Sequence, residues 1–338
     1  MKNRLFATIL TLSMCLCLCS CGSKSDSTEG TEALPTDGQA DEVITDADFV
    51  EAEDVGPRMI GEFEVYQDFF AFETENTVTV PDDYISGDFT ILVNELTGEI
   101  VAEKNAYERM YPASMTKVLT VLVACERLAD TDLDTQVVVP FDATDYSFVN
   151  DCSNAGFEAG ETVTLRDLLY GVILPSGADA AVTLAIYIAG NQDNFVNLMN
   201  DKVAELGLSE TTHFTNCVGI YNDDHYTTAY DMSMILKAAL ENKLAYEFLS
   251  CHCYEMPANE FHEEGIVMSN WFLRRIEDHI TTGLVVAGKT GYVVQSGSCA
   301  VSYEISSSNI PYICVVAHSD GTWGCIGDHV TMYDTYAK

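Results

Sequence analysis

The sequence predicts a mixed α/β body built around one sheet, and three observations support this. Strand-like runs of β-branched and aromatic residues occur early in the body, at Phe89–Val93 and Glu99–Glu103. Three more such runs follow Ile280. Between them, apolar residues recur at helical spacing from Thr164 to Leu206. Strands near both ends with helices in between favour one sheet with a helical insertion.

The individual elements follow from local patterns. The first two strands flank Glu95-Leu-Thr-Gly98, which predicts a β-hairpin, and a helix is predicted from about Ser114 to Leu128. The helical stretch is broken at Pro175-Ser-Gly177 and near Gly190-Asn191. The remaining predicted elements are three strands and a closing helix, at Leu284–Tyr292, Ser298–Ile305, Pro311–Ala317 and Cys325–Tyr336.

The first residues predict an export signal. Lys2 and Arg4 precede an apolar run that ends at Leu18 and is too short to span a bilayer comfortably. The run leads into Cys19-Ser-Cys21, which resembles a bacterial lipobox, cut before Cys21 so that this cysteine is acylated. Residues 1–21 are therefore predicted to be a lipoprotein signal peptide, and an ordinary secretory signal is the alternative. Two acyl chains on Cys21 would hold the exported protein at the outer face of the cytoplasmic membrane.

Charge divides the rest of the chain. The protein has 16 basic and 53 acidic residues, and its formal net charge is −37. Residues 25–103 hold 22 of the acids and one base. We predict an acidic disordered tether at 22–58, an aromatic segment at 59–84 that packs on the domain, and a catalytic domain at 85–338. No basic cluster suits nucleic acid, so that class of partner is excluded.

Cysteine and histidine residues do not predict a metal centre. Cys251-His-Cys253 together with His262 fits no zinc-binding spacing well. The other cysteines of the body are scattered through regular segments, and a domain of this size does not need disulfides. We predict neither a metal nor a cofactor.

The first candidate for chemistry is Ser114 with Lys117. Positions i and i+3 share one face of a helix, so the amine can approach the hydroxyl. A serine at a helix N-terminus also has free backbone N–H groups nearby that can stabilise an oxyanion. Lysine becomes a useful base when burial or a neighbouring cation lowers its pKa. Alone, this spacing also fits an ordinary capped helix.

Two further motifs add to this pair. Gly288-Lys-Thr-Gly291 ends a predicted strand, and Lys289 would supply a cation that keeps Lys117 neutral and attracts a substrate carboxylate. Thr290 could hydrogen-bond that carboxylate, and Gly291 allows a ligand to lie along the strand edge. Ser176 stands on the loop between two predicted helices. Taken singly, these two motifs also fit simple turns.

The order of the three motifs is far more specific than any one of them. From about Asp88 onward the chain resembles the serine D-Ala-D-Ala carboxypeptidases, the low-molecular-weight penicillin-binding proteins. The matching segments are Tyr111–Lys117, Leu168–Gly177, Thr212–Gly219, His225–Met232 and Gly288–Tyr292. The resemblance implies a penicillin-binding, β-lactamase-like fold with a mostly antiparallel sheet flanked by helices and a helical subdomain.

The resemblance also implies roles for individual residues. Ser114 would be the acylated nucleophile, Lys117 its general base, and Ser176 the relay of a proton to the leaving D-alanine. Lys289 and Thr290 would contact the terminal carboxylate, and the N–H groups of Ser114 and Tyr292 would form the oxyanion hole. The implied substrates are peptidoglycan stem peptides that end in D-Ala-D-Ala, and β-lactams would act as acylating inhibitors.

Two departures from the family pattern leave alternatives open. Ala178 stands where the family usually has an asparagine, and Val293 stands where a threonine is frequent. Losing one substrate-holding hydrogen bond costs roughly 1–3 kcal/mol, which corresponds to about one or two orders of magnitude in rate. A weakly active or non-catalytic penicillin-binding regulatory protein is therefore one alternative. A β-lactamase is another, although no carboxylate for deacylation can be assigned from spacing.

Overall fold

The computed structural model describes residues 58–60, 63–65 and 70–338 of the chain. The predicted signal peptide with Cys21 lies outside the described residues, and so does nearly all of the tether predicted at 22–58. Within the described part, the structure contains no helix with the length and apolar character needed to cross a membrane.

Strands from both ends of the chain form the central sheet, as the sequence predicts. The strands are β1 (Arg58–Ile60), β2 (Phe63–Val65), β3 (Phe72–Thr79), β4 (Phe89–Asn94), β5 (Glu99–Lys104), β6 (Gln136–Val138), β7 (Thr162–Thr164), β8 (Cys253–Met256), β9 (Ile266–Ser269), β10 (Gly283–Val293), β11 (Gly297–Ser306) and β12 (Pro311–Ser319). Six of them form one sheet in the order β10-β11-β12-β4-β5-β3. Every pairing in it is antiparallel except that of β3 with β5. The mostly antiparallel α/β fold is therefore confirmed.

Helices fill the long middle of the chain. They are α1 (Thr116–Arg127), α2 (Phe141–Val149), α3 (Leu165–Ile173), α4 (Ala178–Ala189), α5 (Gln192–Glu205), α6 (Ala229–Glu241), α7 (Lys243–Leu249), α8 (Leu273–Ile276) and α9 (Gly321–Tyr336). Both predicted interruptions fall between helices. Gly190 ends α4 at φ +83°, and the side chain of Asn191 accepts a hydrogen bond from Asn194 N–H to begin α5.

The sheet separates two apolar layers because successive side chains of a strand point to opposite faces. On one face, Ile91 and Val93 pack with α1, α6 and the helical region. On the other face, Leu92 packs with α8 and α9. Ten of the twelve residues of α1 are buried, so this helix runs through the core. The N-terminal end of α1 is therefore held firmly against the sheet.

Part of the predicted aromatic segment at 59–84 can be described. Residues 72–79 form β3 at the edge of the sheet. Ala71 is buried, and its carbonyl oxygen accepts a hydrogen bond from the Tyr230 hydroxyl at 2.9 Å. Phe70 and Phe72 remain exposed. The side chains of 59–69 lie outside the described residues.

Candidate active site

A cleft with a volume of about 380 Å³ lies where the start of α1, the loop before α4 and strand β10 meet. Six of the seven predicted catalytic and substrate-binding residues line it: Ser114, Lys117, Ser176, Thr290, Gly291 and Tyr292. The exception is Lys289, which is 2% exposed. The fold therefore brings together residues that are up to 178 positions apart in the chain.

Ser114 lies in a short 3₁₀ turn, Ala113–Met115, that leads directly into α1. Lys117 Nζ is 3.1 Å from Ser114 Oγ and donates a second hydrogen bond to the carbonyl oxygen of Val218 at 2.7 Å. Ala113 has a φ of +45°, a left-handed conformation that costs a non-glycine residue about 1–3 kcal/mol. The surrounding contacts therefore hold the serine turn in a conformation that it would not adopt alone.

Burial makes Lys117 a usable base. Its side chain is 2% exposed, and this desolvation lowers its pKa to about 8. The charged form is disfavoured because few polar groups replace the water that it loses. A fraction of the amine is consequently neutral near physiological pH, and it can accept the proton of the Ser114 hydroxyl.

Ser176 and Lys289 form a second serine–lysine pair. Lys289 Nζ donates to Ser176 Oγ and to the carbonyl oxygen of Thr290, both at 2.9 Å. Burial, followed by the charge of Lys117, holds the pKa of Lys289 well below its usual value. Ser176 is also in a left-handed conformation, with φ +65°. Lys289 is thus buried directly beside Ser176.

Two glycines let the backbone close around Ser114. A Cβ on Gly219 would lie 1.9 Å from the Ala113 carbonyl oxygen, and a Cβ on Gly291 would lie 2.9 Å from Ser114 N. Any other residue at either position would push the neighbouring backbone away. This close approach brings the backbone of Gly291 beside Ser114, and Gly291 directly precedes Tyr292, whose N–H the resemblance assigns to the oxyanion hole.

Sequence reasoning assigned no role to the residues that hold the Val218 carbonyl. Asn216 Oδ1 accepts hydrogen bonds from the N–H groups of Val218 and Gly219, at 3.2 and 2.6 Å. His225 connects this loop to α1 through its Nε2, 2.8 Å from Thr116 Oγ1. Both residues fall within the segments that carry the family resemblance, which was the available signal.

His225 is a neutral structural link. Its Nδ1 accepts a hydrogen bond from Thr215 N–H at 3.1 Å, so Nε2 carries the proton and donates to the Thr116 hydroxyl. Burial lowers the pKa of His225 to about 3. It therefore carries no charge at neutral pH and does not compete with Lys117 as a titrating group in that range.

The surroundings of Ala178, which stands where the family usually has an asparagine, show what occupies this part of the loop. Ala178 is fully buried at the start of α4. The next residue, Asp179, directs its carboxylate toward a neighbouring loop and accepts hydrogen bonds from the N–H groups of Ala155, Gly156 and Phe157 at 2.8, 3.2 and 3.1 Å. Asp179 therefore anchors the loop beside the cleft and does not replace the missing amide.

The histidines considered for a metal site have other partners. His252 Nδ1 lies 3.4 Å from a carboxylate oxygen of Glu277, and His262 Nε2 lies 3.2 Å from one of Glu161. Among the residues described, there is no group of three or more His, Cys, Asp or Glu side chains that could hold a metal ion.

Ser114 is hydrogen-bonded to a buried lysine at the start of a core helix, and the edge strand beside it carries Lys-Thr-Gly. This arrangement belongs to the class of serine–lysine active sites. The chain belongs to the D-alanyl-D-alanine carboxypeptidase family, whose model matches residues 74–321. This confirms the family that the motifs indicated.

Individual relatives show how far the likeness extends. The chain is 30% identical to the D-alanyl-D-alanine carboxypeptidase DacF of Bacillus subtilis over 67% of its own length and 56% of the relative's. It is 37% identical to DacC of Escherichia coli, over 51% and 43% of the two lengths. The chain thus spans about half the length of these relatives.

Solved structures give the same fold. The crystal structure of the Streptomyces K15 DD-transpeptidase superimposes with a TM-score of 0.67 at 26% identity, covering 75% of this chain and 97% of that one. Penicillin-binding protein 5 from Haemophilus influenzae gives a TM-score of 0.65 at 30% identity, covering 75% and 70%.

Proposed function

We propose that this protein is a serine D,D-carboxypeptidase that removes the terminal D-alanine from peptidoglycan stem pentapeptides. The observation that carries the proposal is the Ser114–Lys117 pair, with Nζ 3.1 Å from Oγ and a lysine pKa lowered to about 8. The relatives named as D-alanyl-D-alanine carboxypeptidases support the choice of reaction.

The reaction is an acyl transfer in two steps. Ser114 Oγ attacks the carbonyl carbon of the penultimate D-alanine while Lys117 Nζ takes the hydroxyl proton. The amide C–N bond breaks, and Lys117 gives up the proton it took, which reaches the leaving amine through Ser176. The N–H groups of Ser114 and Tyr292 stabilise the oxyanion. Water then hydrolyses the ester, and its proton passes through Lys117, which returns Ser114 to its starting state.

The same nucleophile accounts for inhibition by β-lactams. A β-lactam presents a strained amide followed by a carboxylate, so it can enter the same cleft and acylate Ser114. We expect the resulting ester to persist because the ring nitrogen stays attached and does not leave as D-alanine does.

The test of this function is release of D-alanine from diacetyl-Lys-D-Ala-D-Ala, followed by mass spectrometry. Wild-type protein should remove one D-alanine, and Ser114→Ala should remove none. A fluorescent penicillin should label the wild type and fail to label Ser114→Ala. Absence of release by the wild type, or equal release by Ser114→Ala, contradicts the proposal.

The proposal places the enzyme outside the cytoplasmic membrane, anchored by lipid on Cys21. Its support is the sequence around the predicted lipobox. In cells fed a labelled fatty acid, the wild type and Cys19→Ser should become labelled, whereas Cys21→Ser should not. Labelling of Cys21→Ser would show that the lipid is attached at another residue and would contradict the proposal.

Ala178 favours a second candidate, a penicillin-binding regulatory protein with little turnover. Labelling of Ser114 by fluorescent penicillin without any peptide hydrolysis would support that candidate, and efficient turnover would exclude it. A nitrocefin assay separates both from a β-lactamase, which would hydrolyse nitrocefin through many turnovers.

A further inference from the structure

Arg275 is a basic residue to which the proposed mechanism gives no role, although it lines the same cleft as Ser114 and Thr290. It lies in α8, just before β10. Lys289, the cation that sequence reasoning assigned to the substrate carboxylate, is 2% exposed and donates to Ser176 and to the Thr290 carbonyl. The cleft therefore has a cation at its surface that is not Lys289.

The position of α8 is fixed by its packing on β10. A Cβ on Gly288 would lie 2.4 Å from the ring of Phe272, so only glycine lets this ring pack so closely against the strand. Asn270 is buried, donates from Nδ2 to the Gly288 carbonyl at 3.1 Å, and accepts from Phe272 N–H at 3.0 Å. These contacts attach α8 to the strand one residue before Lys289.

The orientation of the guanidinium is also constrained. Arg275 Nη1 donates to the carbonyl oxygen of Trp271 at 3.2 Å, and its Cζ lies 5.5 Å from the centre of the Trp271 ring. Trp271 lines the cleft as well. A cation held over an aromatic ring keeps its outward N–H groups available for a planar anion.

The neighbouring Arg274, unlike Arg275, is paired with a carboxylate. Arg274 Nε lies 2.9 Å from a carboxylate oxygen of Glu277. Within the described part of the chain, no carboxylate lies within 4.0 Å of the Arg275 side chain, which is half-buried. Burial lowers the pKa of Arg275, yet arginine stays protonated in proteins. A half-buried, unpaired guanidinium in a cleft provides a site for an anion.

We infer that Arg275 binds the C-terminal carboxylate of the substrate, beside Thr290, and thereby selects peptides with a free end. This inference rests on the proposed function and adds a specificity-determining residue to it. Guanidinium and carboxylate form paired, charge-assisted hydrogen bonds, which are among the stronger polar contacts in proteins. Lys289 then has the separate task of holding Ser176.

The test compares two substrates that differ only at the end that Arg275 would contact. Diacetyl-Lys-D-Ala-D-Ala carries a free carboxylate and no other acid, and its C-terminal amide carries none. Arg275→Gln should reduce kcat/KM for the free acid by about 10- to 100-fold, mainly through KM, and should change that for the amide by less than about threefold. Arg275→Lys should recover part of the loss.

Arg274→Gln is the matched control, because it removes the adjacent, already paired guanidinium. It should leave kcat/KM for both substrates within about twofold of the wild type. Equal losses on the acid and the amide by Arg275→Gln would indicate a structural role and overturn the inference, as would no loss on the acid. Thermal melting of each variant checks that it is folded.

A second ligand separates this inference from the proposed function. Acylation of Ser114 by benzylpenicillin, measured by competition with a fluorescent penicillin, does not require peptide turnover. Arg275→Gln should slow acylation by benzylpenicillin at least tenfold and leave acylation by its methyl ester unchanged. If the wild type releases no D-alanine, the proposed function fails, but this result still supports Arg275. Unchanged acylation by benzylpenicillin overturns the inference.

Discussion

The cleft contains two serine–lysine pairs that are built differently. Ser114 and Lys117 are three residues apart on one helical turn, whereas Ser176 and Lys289 come from a loop and a strand that are 113 residues apart. Both lysines are 2% exposed, and burial lowers the pKa of each. Lys117 lines the cleft and Lys289 does not. Two equally buried lysines are thus proposed to do different work, Lys117 as proton acceptor and Lys289 as support for Ser176.

Both serines also depend on left-handed backbone, at Ala113 and at Ser176. Around the first, Gly219 and Gly291 allow two segments to close against the turn. Around the second, Lys289 holds the hydroxyl, and Asp179 attaches the start of α4 to the 155–157 loop. Each strained turn is held by tertiary contacts of its own, so the two can be disturbed separately.

The largest expected effect distinguishes the two pairs directly. Lys117→Met removes the proton acceptor, so we expect kcat/KM for D-alanine release to fall by about 10³-fold or more. Ser176→Ala removes a relay that a water molecule can partly replace, so we expect a loss of about 10²-fold. Steady-state kinetics with diacetyl-Lys-D-Ala-D-Ala measures both. Equal losses would show that the two pairs act as one unit.

The next largest effect on activity is expected from adding a methyl group in the tightly packed backbone around Ser114. Gly219→Ala places a methyl group 1.9 Å from the Ala113 carbonyl, which should move the Val218 carbonyl away from Lys117 and lower kcat by about tenfold or more. Gly160→Ala is the matched control, since Gly160 has a similar φ of +86° and nothing within 4 Å of the added atom. If both variants lose activity equally, the cause is the strain of placing alanine at a positive φ, and the contact with the Ala113 carbonyl is not responsible.

The pH dependence of D-alanine release between pH 7 and 9 tests the proposed role of Lys117 as the base. The protonated amine cannot accept the serine proton, so kcat/KM should rise with pH and reach half its maximum near the lysine pKa of about 8. At pH 7 the rate should be about a tenth of the plateau. His225 does not contribute in this range, because its pKa is about 3. A flat profile from pH 7 to 9 would contradict the assignment of Lys117 as base.

The smallest expected effect concerns the loop of the second pair. Ala178 is fully buried, so Ala178→Asn must displace its neighbours, which costs about 1–3 kcal/mol of stability. We expect a lower melting temperature but retained D-alanine release, because Ser114, Lys117 and Ser176 are unchanged. Ala178→Ser, which adds one heavy atom, should lie between the wild type and the asparagine variant. Complete loss of release by a folded Ala178→Asn would show that the loop functions only with alanine.

The comparison of the two pairs also shows what could be predicted from the sequence. The Ser114–Lys117 contact follows from helical spacing, and the helix breaks at 175–177 and 190–191 follow from turn residues. Strands β4, β5, β10, β11 and β12 were predicted from their β-branched runs. Helix α6, strand β3, the short helices α2, α7 and α8 and the small strand pairs were not predicted. The short ones carry weak periodicity and depend on what packs against them.

The sequence alone determined the family and the order of the motifs, and it predicted the nucleophile and its base, because these depend on residue type and short spacing. Tertiary structure decided which cations line the cleft. Lys289 belongs to the motif and is buried beside Ser176, whereas Arg275 lines the cleft from α8, whose N-terminal end packs on Gly288 through Phe272. The positions of these two side chains depend on contacts between segments that are distant in the chain, so they cannot be predicted from local sequence patterns.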